Sequence, residues 1–199
     1  MIHVVTGPSG SGKSSLIRLL LASTPGLRFS ISHTTRPRRP TEADGRDYHF
    51  IDDPEFKAML RRRAFVEWAL VHGAYYGTSR LELAKGRDGD LILDIDVQGA
   101  RQIRDRVRNA VFTFVLPPSY AVLRERLLGR GHDRPEALAG RLETAKKESR
   151  ECRSFDHIII NDDLNEAADE LAAIVVCHRT RRAARMKDVR RVLESFRKG

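Results

Sequence analysis

The octet GPSGSGKS at residues 7–14 constrains this chain more than any other stretch, because the apolar run IHVVT leads into it and the helical pattern SLIRLLLAS follows it. An apolar strand, a G-x-x-x-x-G-K-[ST] loop and an amphipathic helix in that order form a phosphate-binding unit. The glycines let the backbone curl until successive N–H groups point inward, and the helix adds its positive end. Gly7, Pro8, Ser9, Gly10, Ser11, Gly12, Lys13, Ser14 and Ser15 are therefore expected to hold the phosphates of a nucleoside triphosphate. Lys13 would neutralise the transferring phosphoryl group, and the Ser14 hydroxyl would hold magnesium. An ordinary Gly-rich turn is the alternative, and the flanking strand and helix count against it.

The same alternation continues: LILDID then QGARQIRDRV, VFTFVL then YAVLRERLLG, HIII then LNEAADELAAIVV. Apolar strands alternating with helices predict an α/β fold, a parallel sheet wrapped by helices. Two stretches break the rhythm. Residues 31–77 are polar, Arg-rich and aromatic around a short helix PEFKAMLRRR, and residues 129–141 are rich in Gly and Arg. Both read as excursions from the sheet, where ligands and moving flaps sit. With 199 residues, 41% of them hydrophobic, the chain can bury one real core. The start lacks the pattern of a leader, no run is long enough to span a membrane, and two cysteines are too few for a disulfide scaffold, so a cytoplasmic protein is expected.

The net charge of +9 suggests nucleic acid until it is divided along the chain: residues 178–199 carry +7, leaving only +2 for the rest. The basic end shows apolar residues near helical spacing, at Met186, Val189, Val192, Leu193 and Phe196. It reads as a solvated helix continuing the last one. Binding of nucleic acid or another acidic partner through this tail is the alternative.

LILDID places Asp94 and Asp96 at the C-terminal end of its strand, on one face by period-two spacing, where ligands of open parallel sheets collect. They suit a sugar or base contact, or, for Asp94, a magnesium contact through water. A second anion site follows from Arg36 and Arg39, whose guanidinium forks suit a phosphate, with Tyr48 and Tyr76 as hydroxyl donors. Glu67 interrupts the apolar run FVEWALV on the face of Phe65 and Ala69, where an unpaired charge is costly to bury. Guanine offers N1–H and the 2-amino group side by side to one carboxylate; adenine offers neither. Ser32 and Thr78 hydroxyls could complete the contact at O6. A solvated basic loop and a surface acid are the plain alternatives for these residues.

GPSGSGKS, TTRPRR, GRDYHF, FVEWA, YYGTS, LDIDVQGA, FVLPPS, GRG and NDDL, in this order, resemble the guanylate kinase family over nearly the whole chain. The resemblance implies a P-loop nucleoside monophosphate kinase with a core (about 1–30, 78–128 and 156–178), a GMP-binding flap (31–77), an ATP-covering lid (129–155) and a basic helical extension (179–199). It implies ATP and GMP, with dGMP by extension, giving ADP and GDP with magnesium, in purine nucleotide metabolism. Carried over, Arg36, Arg39, Tyr48 and Tyr76 hold the GMP phosphate. Ser32, Glu67 and Thr78 meet guanine, with Asp94 and Asp96 nearby, and Gly77 belongs to the same GMP site. Lys13 bridges phosphates, Arg130 and Arg141 are catalytic lid arginines, Arg134 is a further lid cation on ATP, and Asn161 contacts adenine. The lid motif departs from the family pattern after GRG, which leaves open which arginine meets which phosphate. Two rivals stay in view. A scaffold-type binding module would show a degraded phosphate loop, and a kinase of a ribose bisphosphate would need no base-reading carboxylate.

Overall fold

In the computed structural model, which describes residues 1–129 and 135–197, the chain runs β1 (Ile2–Thr6), α1 (Lys13–Ser23), β2 (Leu27–Phe29), β3 (His33–Thr34), β4 (His49–Phe50), α2 (Asp53–Arg61), β5 (Phe65–Val71) and β6 (Ala74–Ser79). It continues through α3 (Arg80–Ala84), β7 (Asp90–Asp94), α4 (Val97–Arg106), β8 (Ala110–Leu116), α5 (Tyr120–Leu128), α6 (Pro135–Ser149), β9 (His157–Ile160), α7 (Leu164–Thr180) and α8 (Arg182–Phe196). The main sheet has five parallel strands in the order β2-β7-β1-β8-β9. Its central strands are buried from both sides, which is why they read as unbroken apolar runs. Leu16, Ile17 and Leu20 of α1 pack with Leu171 and Val175 of α7 on one face. Ala100 and Ile103 of α4 cover Leu91, Leu93 and Phe112 on the other. β1 lies between β7 and β8, so the loop after β1 opens beside the C-terminal ends of both neighbours, where open α/β sheets bind ligands.

Residues 33–79 build a second sheet, β4-β3-β6-β5. Its short helix α2 starts on an Asp52 cap, whose side chain accepts the Glu55 N–H at 2.8 Å, and has a proline in its first turn. Phe56 of α2 is fully buried, stacked between Phe65 and Tyr75 with ring centroids 4.4 and 5.1 Å away. The two chain crossings between the sheets converge on one buried acid. Glu82 accepts the Ile31 N–H at 3.1 Å, while its own N–H donates to the Ser79 hydroxyl at 3.2 Å. The small sheet also docks on α4 along β5: the Gln102 amide donates to the Trp68 carbonyl at 2.6 Å, the Arg106 guanidinium donates to the Val66 carbonyl, and Val66 joins the core cluster of Leu91, Leu93 and Ile103.

Two local readings change. β7 ends at Asp94, and Asp96 lies beyond it as the N-cap of α4, accepting the Gly99 N–H at 2.8 Å. The two aspartates therefore do not share a strand face. The tail does not continue α7: Arg181 leaves the helical region (ψ 140°) and α8 is a separate helix without a buried residue. Arg179 belongs to the core instead, bonding the Asp90 side chain and the Pro25 carbonyl, while Asp90 also accepts from the N-terminal ammonium. Among the described residues no helix is long and apolar enough to cross a membrane.

This division predicts that ending the chain after Arg181 leaves thermal stability nearly unchanged. Arg179→Ala, which leaves half-buried Asp90 short of a partner, should lower the melting temperature by about 2–6 °C, on the order of 1–2 kcal/mol. Calorimetric scans of the two variants check both outcomes.

Candidate active site

The loop after β1 is shaped by its glycines. Gly10 and Gly12 adopt φ of 90° and 91°, which an L side chain resists, and a Cβ on Gly12 would lie 2.1 Å from the Asn161 amide nitrogen. That amide, just past the end of β9, donates to the Ser11 carbonyl at 2.7 Å and fixes the loop from behind. The Arg126 guanidinium in turn donates twice to the Asn161 carbonyl, each time at 3.1 Å. Lys13 donates to the Gly7 carbonyl at 2.6 Å, and the Ser14 hydroxyl donates to the Asp94 carboxylate at 3.2 Å. Hydroxyl and carboxylate oxygens side by side at a phosphate loop are hard donors of the kind magnesium selects. Among the described residues no group of three or more His, Cys, Asp or Glu side chains could cage a metal. The donor set fits an ion held chiefly by nucleotide phosphates and water.

Across the cleft, β3, β4 and β6 gather Arg36, Tyr48 and Tyr76. The Arg36 guanidinium lies 5.6 Å from the Tyr48 ring centre, and the two tyrosine rings are 5.9 Å apart. Burial, with Asp94 adding to it, pushes the Tyr48 phenol well above its usual range, so it stays a neutral donor. Glu42 organises the arginines. Its carboxylate accepts from the Arg36 guanidinium at 2.7 Å and from the Arg39 backbone N–H at 2.8 Å, with the Arg39 side chain 4.0 Å away. One of two acids in PTEADG, Glu42 carries no sign of this role.

Glu67 is 3% exposed. The pairing of β5 with β6 shifts register between Phe65 and Glu67, a bulge that re-aims the chain there and sets Glu67 opposite Thr78. One carboxylate oxygen accepts the Thr78 N–H at 2.7 Å; the other faces Gly99 in the first turn of α4, where a Cβ would sit 2.4 Å away. Burial, reinforced by Asp96, pushes the carboxyl up to about 7 against the pull of Thr78 and Arg106. Gly99 carries a signal in LDIDVQGA, a glycine where a helix should begin, but only the fold shows what needs the space.

These parts line one cleft of about 360 Å³, which brings together Gly7, Pro8, Ser9, Gly10, Gly12, Lys13, Ser14 and Ser15 with Ser32, Arg36, Arg39, Tyr48, Glu67, Tyr76, Asp94 and Asp96. Arg141, Thr144 and Glu148 of α6 close it from another side. Ser11, Gly77, Thr78 and Asn161 lie behind this lining: Ser11 and Thr78 are fully buried, and Gly77 packs on Phe65. Arg130 and Arg134 lie outside the described residues. Glu148 had no place in the sequence reading, since one acid in a charged helix such as RLETAKKES has no distinguishing spacing.

A phosphate loop after β1 of a parallel sheet, facing a second anion site on an inserted sheet, defines a P-loop phosphotransferase of the nucleoside monophosphate kinase type. A family model described as guanylate kinase matches residues 2–177. A guanylate kinase from Symbiobacterium thermophilum is 48% identical over 183 residues, 91% of this chain and 87% of that protein. One from Neisseria meningitidis is 43% identical over 98% of this chain and 96% of its own length. The crystal structure of guanylate kinase from Anaplasma phagocytophilum superposes with a TM-score of 0.75 at 30% identity, covering 92% of this chain and 87% of that one. The chain belongs to the guanylate kinase family.

Two variants test the Glu67 geometry. Gly99→Ala puts a methyl group against the carboxylate and should raise the GMP concentration for half-saturation at least about tenfold while leaving that for ATP within about twofold. Glu67→Gln concerns stability. An unfolded glutamate ionises near 4.5 and the folded one near 7, so the cost of charging the folded carboxyl grows between those values and is complete above them. Glu67→Gln should therefore stabilise the ligand-free protein at pH 8 by about 1–3 kcal/mol, a gain that disappears below about pH 4. Denaturant titrations at both pH values read this out.

Proposed function

We infer that this chain transfers the γ-phosphoryl group of ATP to GMP, giving ADP and GDP, a step of purine nucleotide metabolism. The observation that carries the reading is a buried, costly carboxylate beside an arginine-tyrosine anion site and opposite a phosphate loop. Residues 7–15 take the ATP phosphates, with Asn161 holding the loop in shape from behind. Arg36, Arg39, Tyr48 and Tyr76 take the GMP phosphate, the arginines oriented by Glu42. Glu67 accepts N1–H and the 2-amino group of guanine, with Ser32 and Thr78 beside it and Asp96 near the nucleoside. A site built for two donors rejects a base lacking them by roughly 10⁴-fold, because its buried acceptor stays unpaired.

The chemistry asks little covalent work of the protein. The acceptor phosphate is already an anionic nucleophile, so no general base is needed. The side chains bring donor and acceptor oxygens into line and meet the spreading negative charge. Lys13 and Arg141 supply cations from two sides of the cleft. Magnesium, held from Ser14 and through water from Asp94, would add charge neutralisation on the donor phosphates. Residues 31–77 act as the GMP-binding flap, 129–155 as the lid and 179–199 as a basic extension. Closure of the flap and the lid over the core excludes water, so that ATP is not spent on hydrolysis. The protein works in the cytoplasm, and dGMP enters the same site. The intact Gly7, Gly12, Lys13 and Ser14 favour catalysis over a binding module, and the buried Glu67 disfavours a kinase of a ribose bisphosphate.

A coupled assay with ATP and magnesium against GMP, AMP, UMP and CMP tests the function. GDP formation should exceed turnover of the other monophosphates by at least about 10³-fold. Glu67→Gln should cut kcat/KM for GMP by roughly 10²- to 10³-fold with less than about threefold change in ATP half-saturation. Equal losses for both nucleotides would remove Glu67 from the base.

A further inference from the structure

The helix α6 is divided lengthwise. Leu142 and Ala145 are buried against Leu123 and Leu127 of α5, while Arg141, Thr144 and Glu148, spaced three and four residues apart, face the cleft. Arg141 suits a cleft built for phosphates. Glu148 does not: a carboxylate there opposes every anion that the site receives, unless a cation takes it up. The cation whose charge acts on it is Lys13, which lines the same cleft from the start of α1. In this structure the Lys13 ammonium donates to the carbonyl of Gly7 at 2.6 Å, folded back onto its own loop instead of reaching toward the acceptor side.

Building on the phosphotransfer reading above, we propose that Glu148 is a positioning residue for Lys13: as α6 closes on the nucleotides, its carboxylate draws the ammonium off the Gly7 carbonyl and sets it between the donor and acceptor phosphates. Engagement of the lysine then depends on the lid being in place, which ties transfer to the closed state. Two other duties of a carboxylate are not left to Glu148, since in the reading above Glu67 serves the base and the acceptor phosphate needs no proton removed. The charge balance at Glu148 agrees with this use. Burial and Asp96 push the carboxyl up to about 7, while Lys13 pulls it down, so a closer approach of the ammonium would complete its ionisation.

The test is steady-state kinetics of Glu148→Gln and Glu148→Asp with both nucleotides varied, with thermal melts of each. The expected result for Glu148→Gln is a kcat lowered roughly 10- to 100-fold, with both KM values within about twofold of wild type. Glu148→Asp, which keeps the charge, should recover most of that loss. An unchanged kcat in Glu148→Gln, a loss confined to KM, or a Glu148→Asp no better than Glu148→Gln would overturn the proposal. If Glu148→Gln does not fold, Glu148→Ala is read in its place: a kcat lowered roughly 10- to 100-fold at constant KM supports the proposal, and wild-type kcat or a KM-only loss overturns it. A wild type that forms no GDP would overturn the phosphotransfer reading and this inference together, whereas an active wild type with an unaffected Glu148→Gln overturns this inference alone.

Discussion

The Glu67 carboxylate sits between β5 and the first turn of α4, 3% exposed, with a backbone N–H on one oxygen and Gly99 against the other. A charge in that position is expensive to desolvate, and burial raises its pKa to about 7. The fold concentrates its exceptions here. A β-bulge re-aims the residue, a glycine opens the helix beside it, and Asp96 brings a second negative charge close. In the proposed reading a guanine ring presents two donors to this carboxylate, so the cost carried by the free protein becomes selectivity in the complex.

The two phosphate sites are made from different materials. The one after β1 is backbone and glycine, fixed by the sheet below it and by Asn161 and Arg126 behind it, and it reads no more than charge and shape. The other is side chains on a small second sheet, held to the core through Glu82 and along α4 through Gln102 and Arg106, with the arginines oriented by Glu42. The helix α6 supplies the third wall, and its cleft-facing side mixes a cation with an acid.

The main elements were legible because they obey local rules. The phosphate loop was announced by its glycines and flanks, the sheet by four unbroken apolar runs, and Glu67 by a charge on an apolar strand. β2, three residues long, carried too little pattern to be read. Asp96 looked like a strand-end acid because period two ignores where the strand stops; β7 ends two residues earlier, at Asp94, and Asp96 caps α4. The tail looked like more of α7 because its apolar residues keep helical spacing, yet they bury nothing and Arg181 breaks the helix. The roles of Glu42, Gly99 and Glu148 were invisible, each for its own reason. Glu42 acts on neighbours three and six residues away through a loop conformation that has no sequence pattern, Gly99 marks a helix start without telling what needs its space, and Glu148 has no spacing to set it apart in a charged helix.

The most direct measurement is the titration of the Glu67 side-chain carboxyl followed by carbon NMR, in the free protein and with GMP bound. The account predicts a midpoint near 7 in the free protein, falling below the ordinary value of 4.5 once GMP donates to the carboxylate. A midpoint that GMP leaves unchanged would contradict it.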